Sequence, residues 1–145
     1  MKLDRRRKSQ RGSSLIEFSL VGVQLFLVLF AIIEFGRVVL VSTTIAHAAR
    51  TAVRYAIVHG GTRTGSGVDG PSGPGSTTQI VANLNKYAKT GLLDTSRLTT
   101  TITYPDGNNS PGSRVMVTVV YPYDPFTLLP FHMRLGSTTE GVICF

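Results

Sequence analysis

The sequence predicts an α+β fold: one long N-terminal helix packed on a small three-stranded antiparallel sheet, with one short extra helix. Three observations predict it. An uncharged apolar run fills residues 18–33, and helical periodicity continues to about residue 59 with no proline before Pro71. A glycine-rich break comes next. Beyond it, two stretches alternate apolar and polar residues on either side of a Pro-Asp-Gly-Asn-Asn turn.

The apolar run is bounded by Glu17 and Glu34, and residues 13–33 hold a single charge. At about 1.5 Å per residue these residues span roughly 31 Å, the thickness of a bilayer's hydrocarbon core. A soluble protein would need several other elements to cover such a helix on all sides, and this chain offers few. Residues 13–34 are therefore predicted to be the transmembrane half of the helix. Lys2, Arg5, Arg6, Arg7, Lys8 and Arg11 precede it, opposed by Asp4 alone, so +5 of the net +7 lies in the first twelve residues. Such a block beside an apolar helix places the N-terminus in the cytoplasm and exports the C-terminal part of the chain. Basicity confined to a tail is not the spread-out face that nucleic-acid binding needs. Signal cleavage at Ala46-His47-Ala48 is disfavoured, because that site lies beyond Glu34 and Arg37 within continuous helix.

Residues 35–59 read as an exported amphipathic continuation. Phe35, Val38, Ser42, Ile45, Ala49, Ala52 and Ala56 recur in steps of three and four, with Val39, Ala46 and Val53 beside them. Thr43, Thr44, His47, Arg50, Thr51 and Arg54 lie opposite. The small-residue seam suits close packing by the chain's own small domain or by neighbouring subunits. Gly60-Gly61 ends the helix.

Residues 60–75 hold seven of the fifteen glycines and read as a flexible loop. No Gly-Lys-Ser/Thr comes after it, which excludes a phosphate-binding loop. In residues 76–145, a small α+β exported region, Ser76 and Gln79 have capping-box spacing. Ile80, Leu84 and Tyr87/Ala88 form one face of a short helix ended by Gly91. Leu98, Thr100, Ile102 and Tyr104 predict one strand, and Val115, Val117, Val119 and Tyr121 a second, ended by Pro122 and Pro125. A third, weaker strand runs from about Met133 to Cys144.

Little here supports catalysis. His47, His59 and His132 have neither metal nor triad spacing and read as surface residues. Asp106-Gly107-Asn108-Asn109 lacks the closing glutamate of a calcium loop and reads as a hairpin turn. Cys144 is the sole cysteine, so no disulfide forms within the chain; it reads as a small apolar residue, or else as a bridge to another chain. No enzyme activity, metal or cofactor is predicted.

From Gln10 the chain reads Gln-Arg-Gly-Ser-Ser-Leu-Ile-Glu-Phe. A glycine ends the basic tail, and a glutamate followed by an aromatic lies five residues on. This resembles the class III signal of type IV prepilins. Glu34-Phe35-Gly36-Arg37 and Ala48-Ala49-Arg50-Thr51-Ala52-Val53-Arg54-Tyr55-Ala56 narrow the resemblance to the TadE-like family of the tight-adherence (Flp) pilus system. Val115-Met116-Val117-Thr118-Val119-Val120-Tyr121-Pro122-Tyr123, with Leu128-Leu129-Pro130 after it, is similar to that family's ending. The resemblance covers about residues 10–58 and 113–140. The family often has a proline in the membrane helix, near the place of Gln24 here.

The resemblance implies a pilin-like fold and a minor pilin, or pseudopilin, in the bacterial inner membrane. Residues 1–12 would be a leader removed by a prepilin peptidase between Gly12 and Ser13. Glu17, next to Phe18, would pair with the new α-amine of Ser13 and set the axial register of subunits. Glycine suits a peptidase site because it lacks a side chain and bends freely. Glu17 lies roughly 7 Å inside that new terminus, where an unpaired carboxylate is costly. Glu34 and Arg37 read as an interfacial ion pair or separate anchors, or else as a contact to a partner pilin. Implied partners are the peptidase, other pilins or pseudopilins, the assembly platform and membrane lipid. The competing reading is a signal-anchored exported binding module with no role in pilus assembly.

Overall fold

The computed structural model describes residues 4–91, 93–126 and 132–145, with side chains from Gly12 onward. Helix α1 (Asp4–Val58) is followed by a 3-10 turn (Gly67–Asp69), helix α2 (Thr78–Thr90), a second 3-10 turn (Thr95–Arg97) and strands β1 (Thr99–Thr103), β2 (Arg114–Tyr123) and β3 (Met133–Val142). The α+β architecture read from the sequence is present. The helix is already formed at Asp4, upstream of the expected start at Ser13. The chain divides into two compact units between Arg37 and Val38.

In the first unit α1 is helical without interruption, and Gln24 leaves its hydrogen-bond ladder intact where a proline would break it. The Ser19 hydroxyl donates to the Leu15 carbonyl at 2.8 Å, which satisfies a polar group without water.

The second unit has a single core. From α1 it takes Val41, Ile45, Ala48, Ala49, Ala52, Val53 and Ala56; from α2, Ile80, Leu84 and Ala88; from the sheet, Val115, Val117, Val119, Tyr121 and Tyr123. The buried stripe of α1 is rotated slightly from the expected one. Ser42 and Val39 are exposed and Phe35 is 71% exposed, while Val41 and Ala48 are buried instead. Two elements cover this helix at once, α2 near Thr44 and β3 near Val53 and Ile57. Together they select the stripe, and periodicity alone does not. Both close approaches depend on glycine: a Cβ at Gly91 would lie 2.2 Å from the Thr44 methyl, and one at Gly141 2.5 Å from Ile57 Cδ1.

The sheet order is β1-β2-β3, antiparallel throughout, with Ile102 opposite Val117 and Val117 opposite Thr139. The β1–β2 connection is the predicted hairpin. Asp106 accepts from the Arg114 backbone N–H at 2.7 Å and from its guanidinium at 3.0 Å. At the base of β2, Gly112 (φ +89°) donates to the Ile143 carbonyl, while Ile143 donates to Ser113 at 2.8 Å. This is a G1 bulge, and its first position needs a glycine.

Other sequence expectations are also corrected. Ser76 does not cap α2: it exchanges backbone hydrogen bonds with Gly73 in a turn, and Thr77 takes the cap position with no side-chain bond. Pro122 does not end β2 but lies within it, opposite Arg134. The Arg114 N–H faces the β1 side, and N–H direction alternates along a strand, so the Pro122 nitrogen faces that side too, beyond the end of β1. No hydrogen bond is lost there. His59 is buried, stacked on Tyr55 with ring centroids 3.9 Å apart. Leu128-Leu129-Pro130 lies outside the described residues.

The glycine-rich loop carries specific ties. Ser72 donates to the His59 carbonyl through its N–H (2.6 Å) and its hydroxyl (2.9 Å). Asn109 reaches across from the hairpin to the Ser72 carbonyl at 2.8 Å, and the Gly61 N–H donates to the Asn109 carbonyl at 2.7 Å. The Tyr55 hydroxyl donates to the Val68 carbonyl. The C-terminus closes on the same place: Cys144 N–H donates to the Ile57 carbonyl at 3.1 Å. Ile143 is buried there and Cys144 is exposed, so the cysteine is not the packed apolar residue expected from sequence.

A Cβ at Gly60 would clash with the Phe145 carbonyl oxygen and with Cγ2 of Ile143, a buried side chain with little room to move. Gly60→Ala is expected to destabilise the second unit by about 1–3 kcal/mol. Gly75→Ala, where nothing lies within 4 Å, leaves the thermal unfolding midpoint unchanged. Equal midpoints for the two variants would contradict this packing.

The Arg114 guanidinium holds the Asp106 carboxyl below the usual carboxylate range, and the Arg97 guanidinium, with His132, does the same for Asp124. A folded pKa below the unfolded one gives stability that is complete above the unfolded value and is lost as pH falls through the folded value. The unfolding midpoint should therefore be flat from pH 7 to about 5 and decline below about 4, less steeply in Asp106→Asn. A midpoint flat to about pH 2.5 would contradict it.

Candidate functional site

The sequence-predicted site residues fall on the first unit's helix. Gly12 and Ser13 are exposed, and a Cβ at Gly12 would meet nothing within 4 Å. Ser13 and Glu17 are four residues apart, so they share one face of α1 a single turn apart. Phe18 is 76% exposed. From Leu15 to Ile33 every large apolar side chain is exposed, and the most apolar 18-residue window of the helix has no part buried. Exposed apolar surface on all sides of a helix is stable in lipid or among other apolar helices, not in water. The helix is long and apolar enough to cross a membrane, and the chain is membrane-anchored through it.

At the far end of this segment, Arg37 Nη1 donates to Glu34 at 3.2 and 3.5 Å. Glu34 is the more covered partner, with its side chain 16% exposed against 46% for Arg37. The two side chains form an ion pair three residues apart on the helix.

No three His, Cys, Asp or Glu residues gather into a metal-ligating group among the described residues. His47 is exposed, His59 donates through Nδ1–H to the Tyr55 carbonyl (2.8 Å), and His132 faces Asp124 at 3.2 Å. No two of these histidines meet.

Sequence reasoning missed a second feature. In the second unit an open cleft of about 430 Å³ lies between α1 and β3, lined by His47, Arg50, Thr51, Arg54, Thr139 and Glu140, with Val53 and Ile57 at its floor. One signal was available. Residues 35–59 carry three arginines and no acid, so every formal charge on them is positive. That β3 would stand beside it depends on tertiary packing.

A sequence model of the family described as TadE-like protein matches residues 12–54, beginning at Gly12 and ending at Arg54. No curated protein and no solved structure matches the chain. Over residues 12–54, the helix that bears the candidate site, this chain is similar to that family.

Proposed function

We propose that this chain is a minor pilin-like subunit of a tight-adherence type IV pilus, a structural and assembly protein rather than an enzyme. It is inserted with residues 1–12 in the cytoplasm, cut after Gly12 by a prepilin peptidase and held in the inner membrane by α1. It then associates with other pilins or pseudopilins and with the assembly platform. The observation that carries this reading is the start of the TadE-like match at Gly12, where the basic residues give way to the stretch of α1 whose apolar side chains are exposed.

The chemistry comes from the helix. Cleavage would free an α-amine on Ser13, one turn from Glu17 on the same face. In hydrocarbon an isolated carboxylate costs a few kcal/mol, so amine and carboxylate are driven to pair, within one chain or between neighbours. A pair formed between subunits fixes their axial offset, because any other offset leaves a charge unpaired. Glu34 and Arg37, already paired at the other end, would anchor the helix at the outer interface.

Two variants test the reading in cells that make the pilus. Gly12→Leu should keep residues 1–12 and abolish fibres. Glu17→Ala should be cut normally yet lower fibre number by about tenfold or more, the effect of losing a buried charge pair. Wild-type fibres from Gly12→Leu would overturn processing. Normal fibre number and adhesion from Glu17→Ala would overturn the register role and favour a tethered binding module.

A further inference from the structure

We infer that the cleft between α1 and β3 docks an extended acidic segment of a partner protein, which adds to the sheet as a fourth strand along β3. The inference concerns only the second unit and does not depend on the pilus reading.

One wall of the cleft is cationic. His47, Arg50 and Arg54 lie at i, i+3 and i+7 and so within a narrow arc of α1. Arg50 and Arg54 have no ion-pair partner among the described residues, and both are exposed. The other wall is an edge strand of ten residues with β2 on one side only. Its alternation is fixed by the bulge: Ile143 bonds to Ser113, so Gly141, Thr139, Ser137 and Leu135 also face β2. The N–H and C=O groups of Arg134, Gly136, Thr138, Glu140 and Val142 therefore face away from the sheet. A long strand edge left open is a template for another strand. Proteins commonly blunt such edges with proline or a bulge, and β3 has neither between Met133 and Val142.

Charge selects the occupant. Four of the five acids that a second copy of this chain could offer from this unit, all but Asp69, are engaged locally. Asp106 and Glu140 face Arg114 at 3.0 and 3.7 Å, Asp124 pairs with Arg97 and His132, and Asp94 accepts from Ser96 at 3.0 Å. A different, acidic chain fits better. A lipid headgroup would satisfy the arginines but not the row of backbone groups beside them. An extended peptide satisfies both, with its backbone on β3 and alternate acidic side chains toward α1.

The test uses the full chain in phosphatidylcholine nanodiscs and a fluorescent peptide alternating Glu and Thr, matched to the ten residues of β3. Binding is read by anisotropy against a Lys-Thr counterpart. The Glu-Thr peptide should bind, and the Lys-Thr peptide should not. Arg50→Glu with Arg54→Glu should weaken binding by about tenfold or more. Thr138→Pro, which removes one outward N–H, should weaken it similarly, with the unfolding midpoint as a check on folding. Val142→Pro is the second edge variant should Thr138→Pro fail to fold. No binding, or binding that survives the arginine changes, would overturn the proposal. Binding that survives the proline would mean ion exchange without strand addition and would overturn it too. Loss of peptide binding when phosphatidylglycerol replaces phosphatidylcholine would assign the cations to the membrane surface. Self-association abolished by the arginine changes would assign the cleft to a second copy. Either result would contradict the inference.

Discussion

Ala48, Ala49, Ala52 and Ala56 place only methyl groups on the buried face of α1, and all four are essentially inaccessible to water. With so little side chain on the helix, α2 and the sheet can share one stripe of it. Larger residues there would push one of them away. Glycine supplies the remaining clearance on the covering elements, at Gly91 against Thr44 and at Gly141 against Val53 and Ile57. Val115, Val117 and Val119 of β2 are fully buried in the same cluster. The tie between Cys144 and Ile57, the Ser72 bonds to His59 and the Asn109 bridge are all set at the end of this seam. The seam therefore positions the hairpin, the glycine-rich loop and the cleft together.

Features encoded locally were legible in the sequence. The apolar run of α1 needs no tertiary partner to be recognised, because its length and lack of charge already specify a membrane span. The alternation around the Pro-Asp-Gly-Asn-Asn turn located β1 and β2, and Val115, Val117, Val119 and Tyr121 are buried as their period of two required. What escaped depended on neighbours distant in sequence. Ser76 has capping-box spacing, yet its backbone is taken by Gly73. Pro122 reads as a strand end until β1 is known to stop short of it. His59 reads as a surface residue until Tyr55 stacks on it. The cleft belongs to the same class, since nothing in the α1 sequence announces β3 as its other wall.

The two halves of α1 present opposite problems of solvation. In the first unit, apolar side chains face outward on every side and demand a dry environment. In the second, the helix is covered on one stripe and cationic on the other. The TadE-like match at residues 12–54 runs through both. Among the described residues, the acids of the second unit are largely used in local pairs that brace its loops, while Arg50 and Arg54 are not.

The proposed role rests above all on α1 entering the membrane as a pilin-type helix with a new N-terminus at Ser13. The most direct measurement is the intact mass of the wild-type protein purified from membranes, with and without a co-expressed prepilin peptidase. Loss of residues 1–12 is expected when the peptidase is present, and the full-length mass when it is absent. An unchanged mass beside a peptidase that cuts a known substrate would contradict the proposed role and leave a signal-anchored exported domain.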